Sequence, residues 1–200
     1  MEPRKRVRRA RGLRRMDAIL DAAEICIARM GYAESTTNHI AAQAGISPGS
    51  LYQFFANKEA IAHALATRYN EELEQVYAPA FAGESAAAPL ARWLDQVLDT
   101  LLAFHDAHPA FHILLNTPPS TAVATLTQEL PNELQRQFER GFYQRAPTLS
   151  TTQCSLAALV STQLFRAMLP RILTSPADQR ALLVAELKTA LHRYLKPLLG

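Results

Sequence analysis

The chain has 200 residues, 48% of them apolar, with seven glycines, two cysteines and a formal charge of +3. That is material for one large domain or two small ones with a proper core, and few glycines with few β-branched runs argue against a sheet protein. Cys26 and Cys154 lie in apolar helical contexts, which argues against a disulfide framework and fits buried thiols in a reducing cytosol.

The charge is unevenly placed. Residues 1–15 hold eight of the 21 basic residues and one of the 18 acidic ones, a net +7; the remaining 13 basic and 17 acidic residues net −4. A basic arm on an acidic body is the electrostatic layout of a nucleic-acid binder. Residues 1–13 are expected to form a flexible cationic arm, whose arginines reach phosphates or the minor groove. The basic start is not followed by an apolar core and a small-residue cleavage site, so no signal peptide is expected. No apolar run is expected to span a membrane. The expected location is cytoplasmic.

The first helix is predicted from about Arg14 to Met30. Met16, Ile19, Leu20, Ala23, Cys26, Ile27 and Met30 repeat at three-four spacing and make one apolar stripe. Gly31 ends it. Two short helices with a tight turn then account for Thr36 to Lys58. Thr37 is the N-cap expected for the first. Ile40, Ala41 and Ala44 give its small apolar face. Gly45 stops it in the left-handed conformation that glycine takes without steric cost, and Ile46 plugs the turn. Ser47 caps the second helix, with Pro48 at its first position. Leu51 and Phe54 or Phe55 turn inward, leaving Ser50, Tyr52 and Gln53 outside. Asn57 caps the next helix, with Lys58 and Glu59 in its first turn.

This is the pattern of a helix-turn-helix, whose second helix would lie in a DNA major groove. Ile40-Ala41, Ala44-Gly45-Ile46-Ser47, Gly49-Ser50-Leu51-Tyr52, Phe55 and Lys58-Glu59 resemble the DNA-binding signature of TetR-type (TetR/AcrR) transcriptional regulators. The resemblance runs from roughly Met16 to Ala66, and beyond that rests on length and helical character. Gln53 and Phe54 depart from the histidine and tyrosine that members often carry, which bears on base preference. The resemblance implies a second helical domain that encloses an effector, and a helix linking it to the DNA-binding part.

Lys58 to Tyr77 reads as that longer helix, with Ile61, Leu65, Tyr69, Leu73 and Val76 buried and Glu71, Glu72 and Glu74 solvated. Pro79 and Ala82-Gly83-Glu84-Ser85 break the pattern. Pro89 to His105 is helical, with Leu90, Trp93, Leu94, Val97, Leu101 and Phe104 on one side. Pro109 marks a break before a short helix through Phe111 to Leu115, and Pro118-Pro119 is a stop. Ser120 to Leu130 is helical, and Pro131 either kinks it or starts a new helix through Leu134, Phe138, Phe142 and Tyr143, ended by Pro147. Two helices finish the chain. One runs from about Ser150 to Leu169, the other from a Ser175 cap and Pro176 through Leu198.

His105, Asp106, His108 and His112 have metal-ligand chemistry, but Pro109 breaks the register that would align them. No metal and no cofactor are expected. There is no nucleophile elbow, phosphate loop or paired-carboxylate spacing, so no catalytic residue is named. The reading is an all-α protein: an arm over 1–13, a three-helix DNA-binding domain over 14–60, and an effector-binding and dimerisation domain over 61–200. The expected function is a repressor released from a palindromic double-stranded operator by an apolar small molecule. The alternatives are an architectural DNA-binding protein without a ligand and a helical enzyme fused to a DNA-binding unit.

Three residue sets carry this reading. Thr37, Ser47, Pro48, Gly49, Ser50, Tyr52, Gln53 and Lys58 are expected to face DNA, with Ser50 and Gln53 reading bases and Thr37, Tyr52 and Lys58 holding phosphate. Trp93, Phe104, His105, Phe111, His112, Asn116, Phe138, Phe142 and Phe165 are expected around a pocket. Leu156, Val160, Gln163, Leu164, Val184, Leu187, Leu191 and Tyr194 are expected in a two-fold, four-helix homodimer interface.

Overall fold

The computed structural model describes residues 3–81 and 87–200. Its helices are α1 (Pro3–Glu34), α2 (Thr37–Gln43), α3 (Pro48–Tyr52), α4 (Lys58–Tyr77), α5 (Leu90–Ala107), α6 (Pro109–Asn116), α7 (Thr121–Arg145), α8 (Thr151–Thr174) and α9 (Ala177–Leu199), with a 3₁₀ turn at Ala78–Phe81. Among the described residues there is no strand. The expected break at Ala82-Gly83-Glu84-Ser85 lies outside the described residues.

The chain packs as two compact units. The chain up to Glu71 groups with His108–Gln128, and Glu72–Ala107 groups with Glu129–Gly200. So α6 and the start of α7, late in sequence, pack with the N-terminal helices, and α6 lies chiefly on α1.

In the first unit, Ile19, Ala23 and Ile27 of α1, Ile40 and Ala41 of α2, Leu51 of α3, and Ile61, Leu65 and Tyr69 of α4 are buried together with Phe111 and Leu114. Deleting such a side chain, Leu51→Ala for instance, costs about 2–5 kcal/mol. A polar network ties three helices. Arg68 of α4 donates to Asp21 (2.6 Å) and Glu24 (3.1 Å) of α1. Glu24 also meets His108 Nδ1 at 2.9 Å, and Tyr69 sits edge-on to the His108 ring.

In the second unit, α5 buries Leu90, Trp93, Leu94, Val97, Leu98, Leu101 and Phe104, a stripe at helical spacing. It packs on α9, which packs in turn on α8. Ser150 and Gln153 form a capping box at the start of α8.

Several expectations are corrected. Residues 3–13 are helical and continuous with α1, where a flexible arm is expected. Arginine and lysine are good helix formers, and Pro3 suits a first helical position. Gly31, at φ 80, does interrupt the helical backbone, but Met30 beside it is exposed. In α4 the buried series continues from Tyr69 and Leu73 to Tyr77 at a spacing of four, which leaves Val76 exposed. Pro131 starts no new helix but lies inside α7, the single helix of the first alternative, and α8 runs on past Leu169 and Pro170 to Thr174. Ser175 does not cap α9. Its hydroxyl donates to the Arg171 carbonyl at 2.7 Å and so finishes α8. Finally, α8 is long and apolar enough to span a membrane by length and composition, contrary to expectation. It nevertheless buries Cys154, Ala157, Ala158, Ser161, Thr162 and Phe165, as a core helix does.

Candidate nucleic-acid interface and apolar site

The turn between α2 and α3 is built from its caps. The N-cap of α2 is Thr36, not Thr37: the Thr36 hydroxyl accepts from the His39 N–H at 3.1 Å. Two adjacent threonines offer the same chemistry, and only the one outside the helix can cap. Gly45 has φ +64, and the Ile46 N–H returns to the Ala41 carbonyl at 2.9 Å. Ser47 caps α3 by accepting from the Ser50 N–H at 3.2 Å, with Pro48 at the first position. Asn57 Oδ1 accepts from the Ala60 N–H at 2.8 Å at the start of α4.

These local bonds decide which side chains stand free. Ser47, Pro48, Gly49, Tyr52 and Gln53 are exposed, while Thr37, Ser50 and Lys58 are half-buried. The Thr37 and Tyr52 hydroxyls share a hydrogen bond at 3.0 Å, holding the Tyr52 ring against the start of α2. Ser50 shares one with Ser47, also at 3.0 Å. Lys58 Nζ donates to the Tyr32 and Ala33 carbonyls at 2.8 and 3.1 Å. That bracing role has no local signal, since its partners lie 25 and 26 residues away.

The nine pocket candidates fall into three groups. Trp93 meets Phe138 (5.6 Å between centroids) and Phe142 (5.9 Å). Phe81, which sequence reasoning missed, joins both Trp93 (5.5 Å) and Phe138 (5.2 Å) edge to face. The Trp93 indole N–H donates to the Ala80 carbonyl at 2.8 Å. His105 lies between Phe104 and Phe165, about equally far from each. Phe111, His112 and Asn116 belong to the other compact unit. There Phe111 faces Tyr69, and exposed Asn116 donates to the His112 carbonyl at 2.8 Å. Burial pulls the His112 pKa down.

The His105–His112 cluster disperses into other duties. Asp106 pairs with Arg180, and His108 with Glu24. Among the described residues no three of His, Cys, Asp and Glu converge as a metal ion would need. Both cysteines are free and buried, and burial raises both thiol pKa values.

The expected interface residues divide as well. Leu156 is 54% exposed, Gln163 is exposed, and Val160, Leu164 and Tyr194 are half-buried. Val184 lines an open groove of about 570 Å³ between α5 and α9. Leu187 (0% exposed) and Leu191 (2%) are corrected: they face the protomer's own core and offer nothing to a second chain. Both belong to α9's contact face, so their spacing fits either burial.

Comparison with known proteins agrees with this geometry. Residues 19–65 match the model of the bacterial regulatory proteins of the tetR family. Residues 89–195 match the tetracyclin repressor-like C-terminal domain. No curated protein matches the sequence. Among solved structures, a TetR-family transcriptional regulator from Streptomyces coelicolor is 22% identical (TM-score 0.66), covering 92% of this chain and 99% of that one. A transcriptional regulator from Rhodococcus sp. Rha1 is 16% identical (TM-score 0.74), covering 91% and 96%. A SmeT–triclosan complex is 19% identical (TM-score 0.69), covering 93% and 92%. At these identities the likeness is one of fold; the family-model matches, the second spanning more than half of the chain, decide membership: the chain belongs to the TetR family of transcriptional regulators, with a helix-turn-helix DNA-binding domain and a tetracyclin repressor-like C-terminal domain.

Proposed function

We propose that this regulator is a repressor that binds a palindromic operator as a homodimer and is released by an apolar small molecule. The observation that carries the DNA half is the free edge of α3. Tyr52 and Gln53 stand exposed beyond a turn fixed by Ser47 and Gly45. Gln53 reads bases and Tyr52, steadied by Thr37, holds phosphate, while Lys58 braces the frame that presents them. Residues 14–60 are the DNA-binding part and 61–200 the effector and dimerisation part, working in the cytoplasm.

The dimer is supported by an apolar face on α8 that the protomer leaves open at Leu156 and Leu159, since large exposed apolar residues in a row mark contact sites. Two recognition helices about 34 Å apart then meet successive major grooves. Effector binding is supported by the aromatic cluster around Trp93 and by the triclosan complex of a similar fold. An effector acts only by preferring the non-binding state, and a coupling of about 1–3 kcal/mol lowers operator affinity roughly 5- to 150-fold.

The test is selection of bound duplexes from a random pool by the full-length protein, followed by anisotropy titration of the winner with and without apolar compounds. Enrichment of a palindrome, and weakening of its binding by at least one compound, are expected. Enrichment without palindromic symmetry would overturn the dimeric reading. Binding that no compound weakens would favour a DNA-binding protein without an effector.

A further inference from the structure

We infer that Arg145 is the anchor for an anionic head group, so that the effector is an organic acid with an apolar body. This rests on the effector reading above and narrows it to one chemical class.

Arg145 is the last residue of α7 and is half-buried. Its Nη1 donates to the Ala88 carbonyl at 2.9 Å. The guanidinium carbon lies 4.7 Å from the centre of the Trp93 ring. Those two contacts fix the plane of the fork. Its Nη2 is shut off from solvent and has no hydrogen-bond partner among the described residues. A basic residue at a helix C-terminus is favoured by the helix dipole, which accounts for the charge. It does not account for a solvent-excluded N–H left without an acceptor, which is a costly arrangement for a cation. Burial pulls the pKa of this group down. A planar fork held on an aromatic face, with one donor unspent, is suited to a carboxylate or sulfonate.

The same unit has a second buried orphan, the Tyr77 hydroxyl. Glu133 and Glu74 act on that group, so their charge disfavours an anion there. Glu133 and Arg145 are separated by twelve residues on α7, about 18 Å along the axis. Between them on α7 stand Phe138 and Phe142, whose rings pack with those of Phe81 and Trp93. The acid therefore belongs at Arg145 and the apolar body against the rings.

Two probes of one frame test this on the full-length protein: 1-anilinonaphthalene-8-sulfonate, which is anionic, and N-phenyl-1-naphthylamine, which is neutral. Fluorescence titration should give at least about tenfold tighter binding of the sulfonate, the worth of one charge-assisted bond. Arg145→Met should bring the ratio of the two affinities to about one, and Arg145→Lys should leave it intermediate, with folding of both variants checked by thermal melting. Arg11→Met, far away in sequence and exposed, should leave the ratio unchanged. A preference that survives Arg145→Met, or that Arg145→Lys retains in full if the methionine variant does not fold, overturns the inference. Neutral-probe binding without any preference overturns it too and leaves the effector reading standing. Binding of neither probe overturns both.

Discussion

Lys58 Nζ donates to the Tyr32 carbonyl at 2.8 Å and lies 4.2 Å over the centre of the Tyr32 ring. A second bond reaches the Ala33 carbonyl. The start of α4 is thus clasped to the chain just after Gly31, and α2 and α3 are strung between those two points. The lysine sets the frame in which α3 is presented. Lys58→Met should therefore destabilise the DNA-binding unit by about 1–3 kcal/mol, from charged hydrogen bonds and a cation–π contact. Chemical denaturation measures it. A change below about 0.5 kcal/mol, together with a salt slope on DNA flattened by about one unit, would mean that Lys58 serves phosphate instead.

The base-reading role falls chiefly on Gln53. Ser50 has its hydroxyl engaged by Ser47, whereas Gln53 is exposed at the end of α3. Gln53→Ala should relax preference at one base pair per half-site by about 1–3 kcal/mol while the salt slope stays put. Equal weakening on every sequence would move Gln53 to the phosphate-contacting set.

The helix-turn-helix was legible because its signals are local. Gly45 with its positive φ, the Ser47-Pro48 start and the Asn57 cap each depend on neighbours within a few residues. Long-range partners were not legible. Nothing near Lys58 announces Tyr32, and nothing near Glu24 announces both Arg68 and His108. Residue type alone cannot separate the Trp93 cluster from Phe111 in the other unit. The unspent donors of Arg145 and Tyr77 have no mark in sequence, because such a donor is defined by what surrounds it.

The same limit applies to the dimer face, and it yields a contrast. Leu156 and Leu159 are exposed on α8, while Leu187 is fully buried on α9. Leu156→Glu with Leu159→Glu should give a folded monomer by light scattering, with helical circular dichroism unchanged and operator affinity lost. Leu187→Ala should instead lower protomer stability by about 2–5 kcal/mol. A dimer that persists in the double glutamate variant would place the interface elsewhere.

Tyr77 ties stability to pH. Its hydroxyl is buried without an acceptor among the described residues, and the side chain is 1% exposed. Burial first, then the charges of Glu133 and Glu74, push its pKa up to about 12 against some relief from Arg136. An unfolded tyrosine titrates near 10. The folded state thus holds the proton more tightly. The stability this contributes is full below about pH 10 and is lost as pH climbs towards about 12. Two pKa units correspond to about 2–3 kcal/mol. Tyr77→Phe removes both the ionisation and the orphan hydroxyl, and phenylalanine keeps the ring against Phe81. At pH 7 the variant should be as stable as the parent or slightly more so, because an unpaired buried hydroxyl is itself unfavourable. Between pH 10 and 12 the parent should lose about 2–3 kcal/mol more than the variant, measured by urea unfolding across that range. Other titrating groups act on both proteins alike and cancel in the difference. Parallel curves would mean that the Tyr77 hydroxyl reaches water or an acceptor in solution.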